Sequence, residues 1–396
     1  MGFLVDMLLS KKSKGGTTSF ILDEVSGAET SVNEKSVMGI SAAFACIGLI
    51  AETVAQLPIK VKKRSGDKVE DFYEHPLYHL LVERPNEWQT SQEFREMLTQ
   101  HLCLHGNAYA LIVKDRTGYP RELLPIEPGC VTVQQDSEWN VKYTVSVNNI
   151  NKELTQKDIF HIKYRTINGY EGISPISWEK NTFESTLANI SHGARYFKNG
   201  ARPGGIITLP GNLGEKAYNA LRDTWDNDFT GDNAWRTAIL QNGMDYKPMT
   251  MSNTDAQYIE TRQLGVEEIA RIYRVPLHMI QSTEKTTSWG SGIEQLGIGF
   301  VQTCLLPWIK RWESCISKFL IPDADKTNIY AKFSVDGLMR GDTKSRYESY
   351  GLGIQNGFLS PNEARAFEDL NAREGGDEYY IPLNMGGSER KDEAAN

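Results

Sequence analysis

The string DNDFTGD, residues 226–232, carries the sharpest metal-like spacing in the chain. Asp226, Asp228, Thr230 and Gly231 match positions 1, 3, 5 and 6 of a calcium loop, where oxygen ligands alternate before a tight glycine turn. Position 12 calls for a bidentate Glu and holds Thr237. A calcium-dependent hydrolase centred on Asp226 and Asp228 is therefore the enzymatic alternative, with one essential ligand missing.

A second string, FKNGARPGG at 197–205, has the glycines and cations of a phosphate cradle. A phosphate loop runs from strand to glycine loop to helix start and closes on Lys-Ser/Thr. Here the order is the reverse: Lys198 sits in a last helical turn, Gly200 supplies a left-handed cap, and Pro203 blocks continuation. The spacing predicts a helix-to-strand junction. The pairs His101/His105 and His75/His79 each share a helix face, but no Glu follows the first histidine of either pair as a zinc protease requires, so they read as packing residues. The chain has no GxSxG elbow, and Glu267 and Glu268 are helix neighbours that point apart. Nothing catalytic emerges. The polar loop at 281–291, with Lys285, Thr286, Thr287, Ser288 and Trp289, has hydroxyls and one cation suited to sequence-blind phosphate contact.

The elements that must position these residues are those of a soluble α+β protein. The 396 residues suffice for two or three folded units, and 40% hydrophobic with 24% charged residues is an ordinary globular mixture. A net charge of −8 argues against a surface that grips nucleic acid throughout. Five scattered cysteines with no CxxC pair argue against a disulfide framework or zinc knuckle and read as buried thiols in a reducing compartment. The opening lysines follow the apolar stretch, the reverse of a secretory signal, and Asp6 breaks the myristoylation pattern. No segment is long and apolar enough to predict a membrane span, so no membrane partner is expected.

Hydrophobic periodicity predicts helices at 37–57, 75–82, 91–105, 176–199, 213–225, 254–273 and 292–319, the last kinked at Pro307, and a helical stretch over 342–366 broken at GFLSPNE. Strands are expected at 58–73 around a Ser-Gly-Asp turn, at 107–115, 121–128, 131–136, 142–149 and 158–165, at 204–210, 237–243 and 246–251, and at 328–336. The last dozen residues read as disordered.

Eight strings in the same order resemble the tailed-phage portal proteins of the HK97 type: HGNAYALIVKDRTGYPRELLPIEP, GISPI, FKNGARPGGIITLP, FTGDNAW, EEIARIYRVPLHMI, CLLPWIKRWE, RGDTKSRYESY and GFLSPNEAR. The resemblance spans about residues 35–375. It implies a ring, typically a dodecamer, at one capsid vertex, through whose channel double-stranded DNA is packaged and ejected. It implies no catalytic activity and no cofactor, since ATP hydrolysis belongs to the terminase. Partners implied are the terminase large subunit, the major capsid or scaffold protein and a head–tail adaptor, with assembly in the host cytoplasm and residence in the virion. A head–tail adaptor ring is a second non-enzymatic reading, though adaptors are usually much shorter.

The resemblance also implies a division of the chain: a flexible arm at 1–35, a mixed α/β wing at 36–175, a stem helix at 176–203, a small β-α-β-β clip at 204–251, and a second stem helix at 252–279. A tunnel loop follows at 280–291, then a tunnel helix and wing return at 292–340, a short helical crown at 341–375 and a disordered tail at 376–396. Lys285, Thr286, Thr287, Ser288 and Trp289 would line the DNA channel. Asn212, Glu215, Lys216, Asp223, Asp226 and Asp228 would face the terminase from the clip. Gly200, Pro203 and Pro307 would be structural, and no residue is expected to hold a metal.

Overall fold

A computed structural model describes residues 31–66, 68–147, 150–198, 205–208, 214–229, 244–248, 253–282, 291–335, 338, 343–368 and 370–380. The chain divides into two compact units, one of residues 1–286 and 303–333, the other of residues 287–302 and 334–396.

The first unit opens with α1 (Glu34–Met38), started by a reciprocal Asn33/Ser36 capping box. Helix formation thus begins at Glu34, inside the stretch expected to be a flexible arm, and the single helix expected at 37–57 is split at Gly39–Ile40. Helix α2 (Ser41–Gln56) ends where Pro58 would break it, since the residue before a proline is pushed to extended backbone: Leu57 has φ −63°, ψ 130°. Strands β1 (Ile59–Ser65) and β2 (Lys68–Asp71) form the expected hairpin, with Gly66 at φ 63°. The helix expected at 75–82 is only the short turn Pro76–Tyr78 followed by a π-turn, His79–Glu83. Helix α3 (Ser91–His105) carries a Thr90/Glu93 capping box and stops at Gly106, φ 70°.

Six strands follow: β3 (Asn107–Lys114), β4 (Pro120–Ile126), β5 (Val131–Gln135), β6 (Val141–Val147), β7 (Ile150–Thr155) and β8 (Ile159–Lys163). They make two antiparallel sheets, ordered β4-β3-β8 and β5-β6-β7. β7 has weak strand character in INKELT and carries little sequence signal; its pairing with β6 from Lys142↔Thr155 to Val147↔Ile150 makes it a strand. β3 reads as alternating, yet its first six residues are all buried. The reason is its central place. Tyr109 and Leu111 join Val133, Tyr143 and Val145 in one core between the sheets. α3 packs on β3, and the core side of α8 (Leu306–Phe319) packs on β8, where Trp312 meets Phe160 at 5.9 Å and its Nε1–H donates to Thr99 Oγ1 at 3.3 Å. Late in the chain β11 (Ile329–Phe333) returns to pair antiparallel with β1, from Ile59↔Phe333 to Lys63↔Ile329. Arg95, buried in α3, donates Nη1 to Leu57 O at 2.6 Å and closes the end of α2; burial pulls its pKa down to about 10.

The long helix expected from 176 is broken at Glu179 into a short turn, Pro175–Trp178, and α4 (Lys180–Lys198). Beyond come β9 (Gly205–Thr208), α5 (Glu215–Phe229), β10 (Asp245–Pro248) and α6 (Asn253–Tyr273). The second unit contains α7 (Ser291–Phe300), α9 (Thr343–Gln355) and α10 (Pro361–Ala366). The helical stretch from Ser291 to Phe319 changes winding just before Pro307. A π-turn, Val301–Leu305, separates α7 from α8, and Pro307 occupies the first turn of α8, where its missing N–H leaves no bond unmade. The tail expected to be disordered from 376 is folded at its start: Asn362 N–H donates to Gly376 O at 2.8 Å and Tyr379 OH to Glu363 Oε1 at 2.9 Å.

Candidate functional site

The two strings HGN and GIS meet in space. Gly106 and Gly172 face each other's backbone so closely that a methyl group on either would overlap a carbonyl, Ile173 O in one case and Gly106 O in the other. Asn107 then grips Gly172 with both ends of its amide: Gly172 N–H donates to Oδ1 at 2.7 Å, and Nδ2 donates to Gly172 O at 2.8 Å. Oδ1 also accepts from His161 Nε2–H at 3.0 Å, so Nδ1 of that ring accepts from Tyr143 OH at 3.1 Å. His161 is therefore the neutral Nε2–H tautomer, and burial pushes its pKa down to about 3. This network fixes the loop that launches the turn at Pro175 and then α4. Ser174 caps that turn through Ser177 N–H and donates Oγ–H to Leu104 O at 2.9 Å.

α4 packs against α6 through small residues. Gly193 lies under Tyr258, whose hydroxyl donates to Asn189 O at 3.1 Å, and Gly265 lies against Thr186. Close approach of two backbones needs exactly such absent side chains at the crossing. The faces away from this contact stay apolar and exposed: Trp178 is 65% exposed just before α4, and Ile259 60% and Leu264 49% on α6. Between α4 and α6 in sequence stands the module β9-α5-β10, with β9 and β10 antiparallel from Gly205↔Pro248 to Thr208↔Asp245. On α5 every residue from 215 to 220 is exposed, Tyr218 among them. Far along, Tyr273 at the end of α6 donates its hydroxyl to Cys103 O at 3.1 Å and anchors α6 to α3.

The predicted site residues fall into three groups. Glu215, Lys216 and Asp223 are exposed on α5, and Arg222 pairs with Asp223 at 3.5 Å. Asp226 and Asp228 lie on α5 too, because that helix runs four residues past its expected end at 225. This corrects the calcium reading: a helical backbone through Asp226 and Asp228 is not the loop backbone that an EF-type site requires. Lys285, Thr286, Thr287, Ser288, Trp289, Asn212, Gly200 and Pro203 lie outside the described residues, as does the strand expected at 237–243. Among the described residues no group of three or more His, Cys, Asp or Glu is arranged to hold a metal. His79 is exposed and pairs with Glu83 at 2.7 Å, and His105 pairs with Glu34 at 2.9 Å, so neither histidine pair is a ligand pair. Cys46, Cys103 and Cys304 are buried, and burial pushes the thiols of Cys46 and Cys304 up to about 12, which makes them inert. No helix among the described residues is long and apolar enough to cross a membrane.

Residues 41–369 match the model of the phage portal protein family. The chain belongs to that family. The portal protein of Enterobacteria phage HK97 is 32% identical over 371 residues, covering 92% of this chain and 87% of that one. A probable portal protein of Streptomyces phage phiC31 is 32% identical over 382 residues, with 92% and 82% covered. Among solved structures, a chain from the neck of a native gene transfer agent particle, computed with C12 symmetry, superposes with a TM-score of 0.62 at 25% identity, covering 85% of this chain and 92% of that one. The chain is thus a portal protein of a tailed phage, a component of the virion, and its α+β architecture is the portal fold. The strings HGN and GIS, which resemble portal proteins, are the ones that the Asn107 network joins. What sequence reasoning missed is that network itself. Its only signal is a Gly-Asn pair and a Gly-Ile-Ser triplet 65 residues apart.

Proposed function

We propose that twelve copies close into a ring at the unique capsid vertex and form the channel for DNA packaging and ejection. The family match over residues 41–369 carries this reading. A similar chain comes from a neck computed with C12 symmetry, which suits twelve subunits. In this reading 36–175 is the wing, completed by β11 from the 292–340 segment. α4 and α6 are the stem, and β9-α5-β10 belongs to the clip at 204–251, whose exposed α5 meets the terminase large subunit and later the head-completion proteins. The 280–291 segment is the tunnel loop and 341–375 the crown, beside the capsid or scaffold protein. The exposed Trp178, Ile259 and Leu264 suit burial between subunits, because a heterologous contact that closes a ring covers a different face on each neighbour. The protein is structural, without a catalytic centre of its own. A head–tail adaptor is a weaker reading, since the chain covers 87% of a full portal protein.

Native mass spectrometry tests the ring. Twelve chains of 44.6 kDa give about 535 kDa. A chain that stays at 44.6 kDa, with or without capsid and scaffold proteins, refutes the assembly. Deleting residues 285–289 should leave the ring mass unchanged while packaged or retained DNA falls. Wild-type packaging by that deletion would remove the tunnel-loop assignment.

A further inference from the structure

Three arginines far apart in sequence converge in the first unit. Arg165 follows β8, Arg274 follows α6, and Arg311 lies early in α8. Tyr164 and Trp308 stack with ring centres 4.8 Å apart and planes 11° from parallel. The Arg311 guanidinium sits 5.0 Å from the Tyr164 ring centre and 5.5 Å from that of Trp308, and the Arg165 guanidinium lies 5.5 Å from Tyr164. Arg311 is held in place: Nε–H donates to Tyr164 O at 3.3 Å and Nη1–H to Pro307 O at 3.0 Å. Arg274 follows the end of α6, where Tyr273 O accepts from Cys304 Sγ at 3.4 Å and Arg274 itself adopts φ 59°, and its positive charge acts on Arg311.

A guanidinium has five N–H donors, and Arg311 uses two of them on backbone oxygens. Its pKa is pulled down first by burial, and the positive charges of Arg165 and Arg274 pull it further; only Tyr164 and Cys315 oppose them, and no carboxylate does. Among the described residues none of the three arginines has an acidic partner within the chain. A part-buried charge beside two like charges, with no carboxylate among the described residues to offset it, is costly, and an anion supplied from outside would offset it.

We propose that Arg165 and Arg311, which meet on the Tyr164 ring, together with the neighbouring positive charge of Arg274, form an anion site that carboxylates of a second copy of this chain fill. The inference rests on the ring reading above. Two observations favour a carboxylate over a DNA phosphate. The chain carries 51 acidic against 43 basic residues, so a neighbouring copy offers a surplus of carboxylates. Arg311, fixed by two backbone carbonyls and set against the Tyr164 ring, suits a static bidentate partner. Repeated around a ring, the same cluster on phosphate would release counterions at every copy and brake a duplex that has to slide.

The test is assembly of the Arg165→Gln/Arg274→Gln double variant, followed by native mass and sedimentation across a salt series. Both side chains are exposed, so the variant monomer should unfold at the wild-type temperature. Wild-type rings should weaken as salt rises, and the variant should need about tenfold more protein to assemble at low salt and lose most of that salt dependence. Arg165→Lys/Arg274→Lys should recover only part of the loss, because lysine keeps the charge without the fork. Rings of the glutamine variant that form at wild-type concentration and salt overturn the inference while leaving the ring reading intact. Normal rings that have lost binding to a fluorescent DNA duplex assign the site to phosphate and overturn it too. Wild-type protein that never leaves the monomer overturns the ring reading and this inference with it.

Discussion

Asn107 shows how much one side chain carries. Its amide satisfies both the N–H and the C=O of Gly172 and also receives the His161 proton. Asn107→Ala leaves three buried polar groups without partners, and each lost partner costs about 1–3 kcal/mol. Stability measured by urea unfolding should drop by about 3 kcal/mol or more. A loss below about 1 kcal/mol would mean that water replaces the amide. His161 and His101 add a pH dependence. Their folded pKa values, about 3 and about 4, lie below the ordinary value of 6.5, burial being the main cause in both. The unfolded chain therefore takes up protons first as pH falls. The stability contribution is complete above pH 6.5 and is lost from there down toward pH 3, by up to about 1.4 kcal/mol per pH unit for each ring. Melting temperatures between pH 7 and pH 4 should fall accordingly, and His161→Gln, less stable at pH 7, should show a shallower fall. An equally steep fall in that variant would point to other groups.

At the scale of elements, the α4–α6 contact turns on Gly193 beneath Tyr258. Gly193→Ala must displace a hydrogen-bonded phenol and should cost about 1–3 kcal/mol, as overpacking does. Gly48, mid-way along α2, meets nothing closer than a Glu52 carboxylate oxygen at 3.6 Å, so Gly48→Ala should stabilise by about 0.5–1 kcal/mol through helix propensity. Paired chemical denaturation of the two variants checks both signs. Most elements were legible from periodicity and end signals. α3 lies at the expected 91–105 because Thr90, Glu93 and Gly106 mark both its ends. β7 was not legible, because INKELT becomes a strand only by pairing with β6. α5 was cut short at 225 for a related reason: DNDF looks like a loop by composition, and its helical backbone is decided by the turns before it.

For the whole molecule, the exposed apolar positions on α6 set a prediction of their own. Ile259→Asp/Leu264→Asp should leave the monomer's unfolding unchanged, since both side chains are largely in solvent, and should abolish the ring. Normal ring mass in that variant would place the subunit contact elsewhere. The order of residue types along the chain determined the α+β class, most helix ends, the absence of a complete catalytic or metal motif and the family likeness, because each depends on neighbours a few residues apart or on strings in fixed order. Only the tertiary structure decided that β11 pairs with β1, that Asn107 closes on Gly172, and that Arg165 and Arg311 meet on Tyr164. Each of those joins residues 65 or more positions apart, and neither helical nor strand periodicity records such a distance.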